Sequence, residues 1–205
     1  MVICLPNPSA SDQPEYTSST PLLIRNLDSI FNNLSLLSTT LLSPNASISE
    51  RNTFSNTLYL TEYALVTLSN ESTNDSYLAA TCLAAYMFLC LFVRQIPGNA
   101  KMYENLLSRL YSLVHQFTDL GNETYDEDYL ASLQFLWICF VGAVASRSCI
   151  SKANDWERNW WITSLSNRCR LWQFKSDREF EDGLDSVIKM NLISKQACVD
   201  IWKDM

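Results

Sequence analysis

Apolar residues recur along this chain at spacings of three and four, the period of helices rather than strands. The pattern centres on Phe135 to Leu165. It opens with Phe135 to Val141, too continuously apolar to present a wet side, followed by Gly142 and Ala143, small enough for another backbone to approach. Arg147 closes the helix where a cation suits the macrodipole. A second helix then carries Trp156, Trp160 and Trp161. A helix apolar all round belongs inside a core, so every other helix is expected to pack on this one.

From the start, residues 1–19 are rich in Ser and Pro and read as disordered, with the folded domain spanning 20–205. Thr20-Pro21 is a helix start, with proline at the first helical position. Leu23, Leu27, Ile30, Leu34, Leu37 and Leu41 alternate spacings of four and three, a heptad seam of under three repeats. Self-association through Leu23–Leu41 is one use of such a seam; at this length a stripe laid on the core is the favoured one. Residues 43–52 read as a polar loop, and a helix follows from Phe54 to Leu68 with Leu58, Leu65 and Leu68 apolar. Tyr77–Val93 is almost unbroken in its apolarity and meets the lower length limit of a membrane span, about 17 residues. Its small residues and lack of a flanking basic cluster favour a core helix instead.

Pro97-Gly98 breaks the chain before a strongly amphipathic helix, Lys101 to Thr118, whose apolar face runs from Tyr103 through Leu106, Leu107, Leu110, Leu113 and Val114 to Phe117. His115, the one histidine of the sequence, lies at the edge of that face and reads as a boundary residue. Thr124 to Glu127 forms a capping box, which predicts a central helix from about Tyr125 to Ser146. In the tryptophan helix Trp161, Leu165, Cys169 and Trp172 make one predicted buried stripe, with Trp156 and Trp160 paired on a neighbouring face. Ser176 to Glu179 is another capping box, opening a helix with Phe180, Leu184, Val187 and Ile188. A last short helix from about Ser194 offers Cys198, Ile201 and Trp202. The sum is an all-α single domain of about eight helices around a buried, Trp-rich central helix.

Composition sharpens this picture. Of 205 residues 47% are hydrophobic, enough for a substantial core, and four glycines leave few β-turn positions. The net charge of −7 opposes nucleic-acid binding by the chain as a whole and attraction to an anionic membrane. Seven cysteines form no C-x-x-C pair, and Cys82, Cys90, Cys139 and Cys169 sit among apolar residues as small hydrophobes. The first residues carry neither a basic nor a long apolar segment of a signal peptide, so the N-x-S/T sequons read as composition and a reducing compartment is expected. Acidic pairs sit at helix starts, no nucleophile motif or phosphate-binding glycine loop occurs, and a single histidine leaves no His cluster for zinc. The sequence therefore predicts no catalytic residue, cofactor or metal. One electrostatic anomaly remains: Arg147 to Lys175 is locally basic and interleaved with tryptophan, which nominates Arg158, Arg168 and Arg170 as a surface for an anionic ligand or a partner protein.

The run Leu136-Trp137-Ile138-Cys139-Phe140-Val141-Gly142-Ala143-Val144-Ala145-Ser146-Arg147, then Arg158-Asn159-Trp160-Trp161-Ile162, resembles the fungal-specific transcription factor domain. That domain is the helical region C-terminal to the zinc cluster of fungal binuclear-zinc regulators. Phe92 to Pro97 resembles the helix and proline stop that precede it, and Cys198 to Trp202 resembles its closing segment. The likeness covers roughly residues 55–205, with Trp137, Gly142, Arg147, Trp160, Trp161 and Trp202 as its signature. It implies a nuclear regulatory domain that contacts other proteins. The family's six-cysteine zinc array has no counterpart here, so neither zinc nor DNA contact is carried over. A helical module binding a small molecule, or an enzyme, with a pocket walled by Trp137, Trp160 and Trp161 is the alternative expectation.

Overall fold

The computed structural model describes residues 20–40, 45–72, 74–97, 101–119, 132–149 and 155–205. Among them are eight α-helices and no strand. The helices are α1 (Thr20–Thr39), α2 (Ile48–Glu71), α3 (Ser76–Phe88), α4 (Lys101–Asp119), α5 (Leu133–Ser148), α6 (Asp155–Leu171), α7 (Asp177–Val187) and α8 (Leu192–Asp204). The expectations for residues 1–19, for the Thr124–Glu127 box, and for the side chains of Leu23, Leu41 and Phe117 fall outside the described residues.

Helix α5 is the hub. Every residue from Phe135 to Ala143 is buried, and the helix packs against α3, α4, α6, α7 and α8. Its start differs from the expected Tyr125. Ser132 is extended (φ −68°, ψ 147°) and its hydroxyl accepts from the Phe135 amide, so the helix opens with a serine cap just before the apolar run. Helix α3 is the second buried rod. It continues through a wider π turn, Leu89–Val93, in which the Arg94 amide donates five residues back to the Leu89 carbonyl at 2.8 Å. Ser76–Val93 is long and apolar enough to cross a membrane, yet 78% of it is buried against the other helices.

On α1, Ile30, Leu34 and Leu37 are buried in the chain's own core, and Phe31 meets Trp137 edge-on at 5.7 Å. The described part of the heptad seam is thus occupied within the molecule. Helix α2 departs most from expectation. It starts at Ile48 rather than Phe54, because Ser47 and Glu50 form a reciprocal capping box, with the Ser47 amide donating to the Glu50 carboxylate at 2.7 Å. It packs mainly on α1 and α3, one layer out from α5, so not every helix lies on the hub.

The carboxyl-terminal helices close the far side. Phe180, Leu184 and Ile188 are buried, as are Cys198 and Ile201. Ser176 caps α7, but Glu179 accepts from the Lys175 amide at 2.7 Å, one residue before the position a strict capping box uses. Asn191 joins two elements: its side-chain oxygen caps α8 at the Ser194 amide (2.9 Å) and its amide donates to the Phe92 carbonyl in the π turn (3.2 Å). Phe92 lies in the last turn of this helical segment, where carbonyls lack intrahelical partners and are open to a side chain from another element.

Candidate functional site

The signature residues of the sequence are chiefly core residues. Trp137 and Trp161 have no accessible surface. Trp161 lies flat on α5 because Gly142 has no side chain: a Cβ there would sit 2.6 Å from two indole carbons. Trp137 packs between Phe31 and Phe88, the latter at 5.8 Å. Neither buried indole N–H meets an acceptor among the described residues, a cost of about 1–3 kcal/mol each, so these rings are held for the volume they fill. Trp160 is half-buried in an aromatic cluster with Tyr111 (4.9 Å), His115 (5.1 Å) and Trp161 (4.8 Å). Trp156 joins its rim through Tyr111 at 5.0 Å, and Trp202 contacts Phe180 at 5.8 Å.

This packing corrects two expectations. A pocket walled by Trp137, Trp160 and Trp161 is not formed, since two of the three expose nothing. Nor does Trp172 continue the buried stripe of Trp161, Leu165 and Cys169: α6 ends at Leu171, the chain turns, and Trp172 is 40% exposed beside Phe174.

The basic side chains also separate. Asp204, in the last turn of α8, sits between Arg147 (3.3 Å) and Arg158 (3.5 Å), both about half exposed. Arg168 lies over the Phe135 ring at 4.3 Å, at the opposite end of α6, and burial lowers its pKa. Ten residues of helix place Arg158 and Arg168 about 15 Å apart along the axis. Arg170 is exposed. The three arginines are therefore spread along α6 rather than gathered at one point. A sequence window sums their charge, but α6 distributes it along its length.

Two apolar surfaces stand out among the described residues. One is a groove of about 540 Å³ between the end of the π turn, α5 and α8, floored by Leu91, Ile96, Val144 and Ala197 and rimmed by Leu192 and Ile193. Leu192 is 84% exposed. Among the described residues Asp200 is the sole titratable side chain lining the groove, so it can hold apolar material but offers no acid–base pair. The other surface is the outer side of α2, where Tyr59, Leu60, Tyr63 and Val66 are all more than half exposed. Sequence reasoning missed this second row because α2 is apolar on two opposite sides. The inward Phe54, Leu58, Leu65 and Leu68 and the outward tyrosines cancel the one-sided signature of an ordinary surface helix.

Among the described residues no group of three His, Cys, Asp or Glu side chains is placed to hold a metal. Burial pushes the Cys82, Cys139 and Cys169 thiols up to about 12, which makes them inert as nucleophiles at neutral pH. No family model matches the chain, and no curated protein or solved structure does either.

Proposed function

We propose that this chain is a non-catalytic regulatory and protein-interaction domain, of the kind found in fungal transcription factors. It acts in the nucleus through contacts with other proteins. The observation that carries the reading is the division of labour between inside and outside. The residues behind the resemblance serve as packing, Gly142 against Trp161 and Trp137 against Phe31 and Phe88, while apolar side chains are left uncovered at the surface beside the groove. Exposed apolar patches are a feature of surfaces that meet other proteins. Ionisable groups that converge in a closed cleft would favour catalysis instead, and the groove is lined by one carboxylate.

The test is to tether the chain to a heterologous DNA-binding domain upstream of a reporter in a fungal host. The expected result is a several-fold change in reporter output, reversed by Leu192→Asp with Ile193→Asp, whose exposed positions leave the fold intact. A folded, nuclear fusion that leaves the reporter unchanged overturns the proposal. The groove's 540 Å³ also lies within the range of small-ligand pockets, roughly 300–1,000 Å³. An apolar small molecule is therefore the second reading, and a thermal-shift screen with apolar ligands tests it through loss of any shift in the same double variant.

A further inference from the structure

The outer side of α2 carries a regular row. Asn52, Asn56, Tyr59, Tyr63, Val66 and Asn70 follow one another at spacings of four, three, four, three and four, and all six are exposed. That is the spacing of a helix–helix seam. It runs about 27 Å along the axis. It is also nearly free of charge. From Asn52 to Asn70 the one residue charged at neutral pH is Glu62, whose carboxylate is held by Arg94 at 2.7 Å. On a chain of net charge −7 such a strip is a place where two copies meet without like charges facing each other.

The row is self-complementary when one copy is reversed. An antiparallel pair centred on residue 61 places Asn52 against the second copy's Asn70, Asn56 against its Val66, and Tyr59 against its Tyr63. Polar ends thus meet polar ends, and the tyrosines meet in the middle beside Leu60, itself 59% exposed. An interface of this sort is isologous, each contact occurring twice about a two-fold axis. Tyrosine at the centre with charge depleted around it matches the composition of interface cores.

We infer that α2 is a homodimerisation helix that pairs antiparallel with α2 of a second copy through Tyr59, Tyr63 and Val66. This goes beyond the proposed regulatory role and does not depend on it. In projection the strip is roughly 27 Å by 10 Å, small beside the roughly 800 Å² per partner of a standard interface, so the dimer is weak and concentration-dependent.

Sedimentation of the whole chain tests it, from about 10 µM to about 1 mM, where a small transient interface becomes populated. The mass should rise from 23.4 kDa toward twice that value. Tyr59→Glu and Tyr63→Lys, each checked for unchanged helicity and melting, should each stay monomeric. Mixing the two variants should restore association, because the antiparallel register sets the introduced carboxylate of one against the introduced ammonium of the other. If the charged variants fail to fold, Val66→Asn should weaken association at least several-fold. A wild-type chain that stays monomeric throughout overturns the inference, as does a dimer that survives both folded variants. Folded monomeric variants that do not recover on mixing refute the antiparallel pairing.

Discussion

Two glycines show how one distance carries opposite consequences. A Cβ at Gly142 would lie 2.6 Å from the Trp161 ring, and one at Gly183 would lie 2.6 Å from the tip of Phe174. Trp161 is fully buried and clamped by Trp160 and Tyr111, so it cannot retreat. Phe174 is partly exposed, and its ring end can swing toward solvent. Overpacking costs about 1–3 kcal/mol, against about 1 kcal/mol gained from replacing glycine by alanine in a helix. Gly142→Ala should therefore lose on the order of 1 kcal/mol net, lowering Tm by about 2–4 °C, while Gly183→Ala should be neutral or stabilising. Thermal melts of the two variants check this, and equal shifts would contradict the clamped placement of Trp161. The sequence points to Gly142 as a site of close approach. It cannot name Trp161 as the group that approaches, because the two meet only once α5 and α6 have folded together.

At the scale of elements, Asn191 performs two tasks with two atoms. Removing its cap on α8 costs about 1 kcal/mol, and leaving the buried Phe92 carbonyl without a donor costs about 1–3 kcal/mol. Asn191→Ala should lose both. Asn191→Ser should keep the cap but fall short of Phe92, so it should recover about the first share. Denaturant unfolding of the two variants separates the terms, and identical losses would mean that the cap contributes nothing. Neither the residue's double role nor the π turn it serves is legible in Phe92 to Pro97 alone. Helix starts show the same limit. The Ser176 cap stands out because an apolar row follows it at once. The Ser47 box escapes notice because the first turns of α2 are polar. A plausible box at Thr124 draws the expected start of the hub helix ahead of the cap actually used, Ser132.

For the molecule as a whole, the six described cysteines report on how tightly the helices close. Cys82, Cys90, Cys139, Cys169 and Cys198 are buried, whereas Cys149, just past α5, is half-buried. Burial raises the Cys149 thiol, and it pushes the Cys139 thiol up to about 12. Raised thiol pKa values mean little thiolate at pH 8, so labelling there should strike Cys149 first among the six and reach the other five only as fast as the protein opens. Peptide mapping by mass spectrometry reads the order; modification of Cys139 as early as Cys149 would mean that the core breathes locally. What the sequence determined by itself was the all-α class and most of the core. Both follow from periodicity, a local property in which each apolar residue lies three or four positions from the next. The tertiary structure alone decided which apolar row faces inward when a helix has two, as α2 does. It also decided whether charges close in sequence stay close in space, as Arg158 and Arg168 do not. Those outcomes depend on which neighbours cover a face, and the neighbours of α2 and α6 come from elsewhere in the chain.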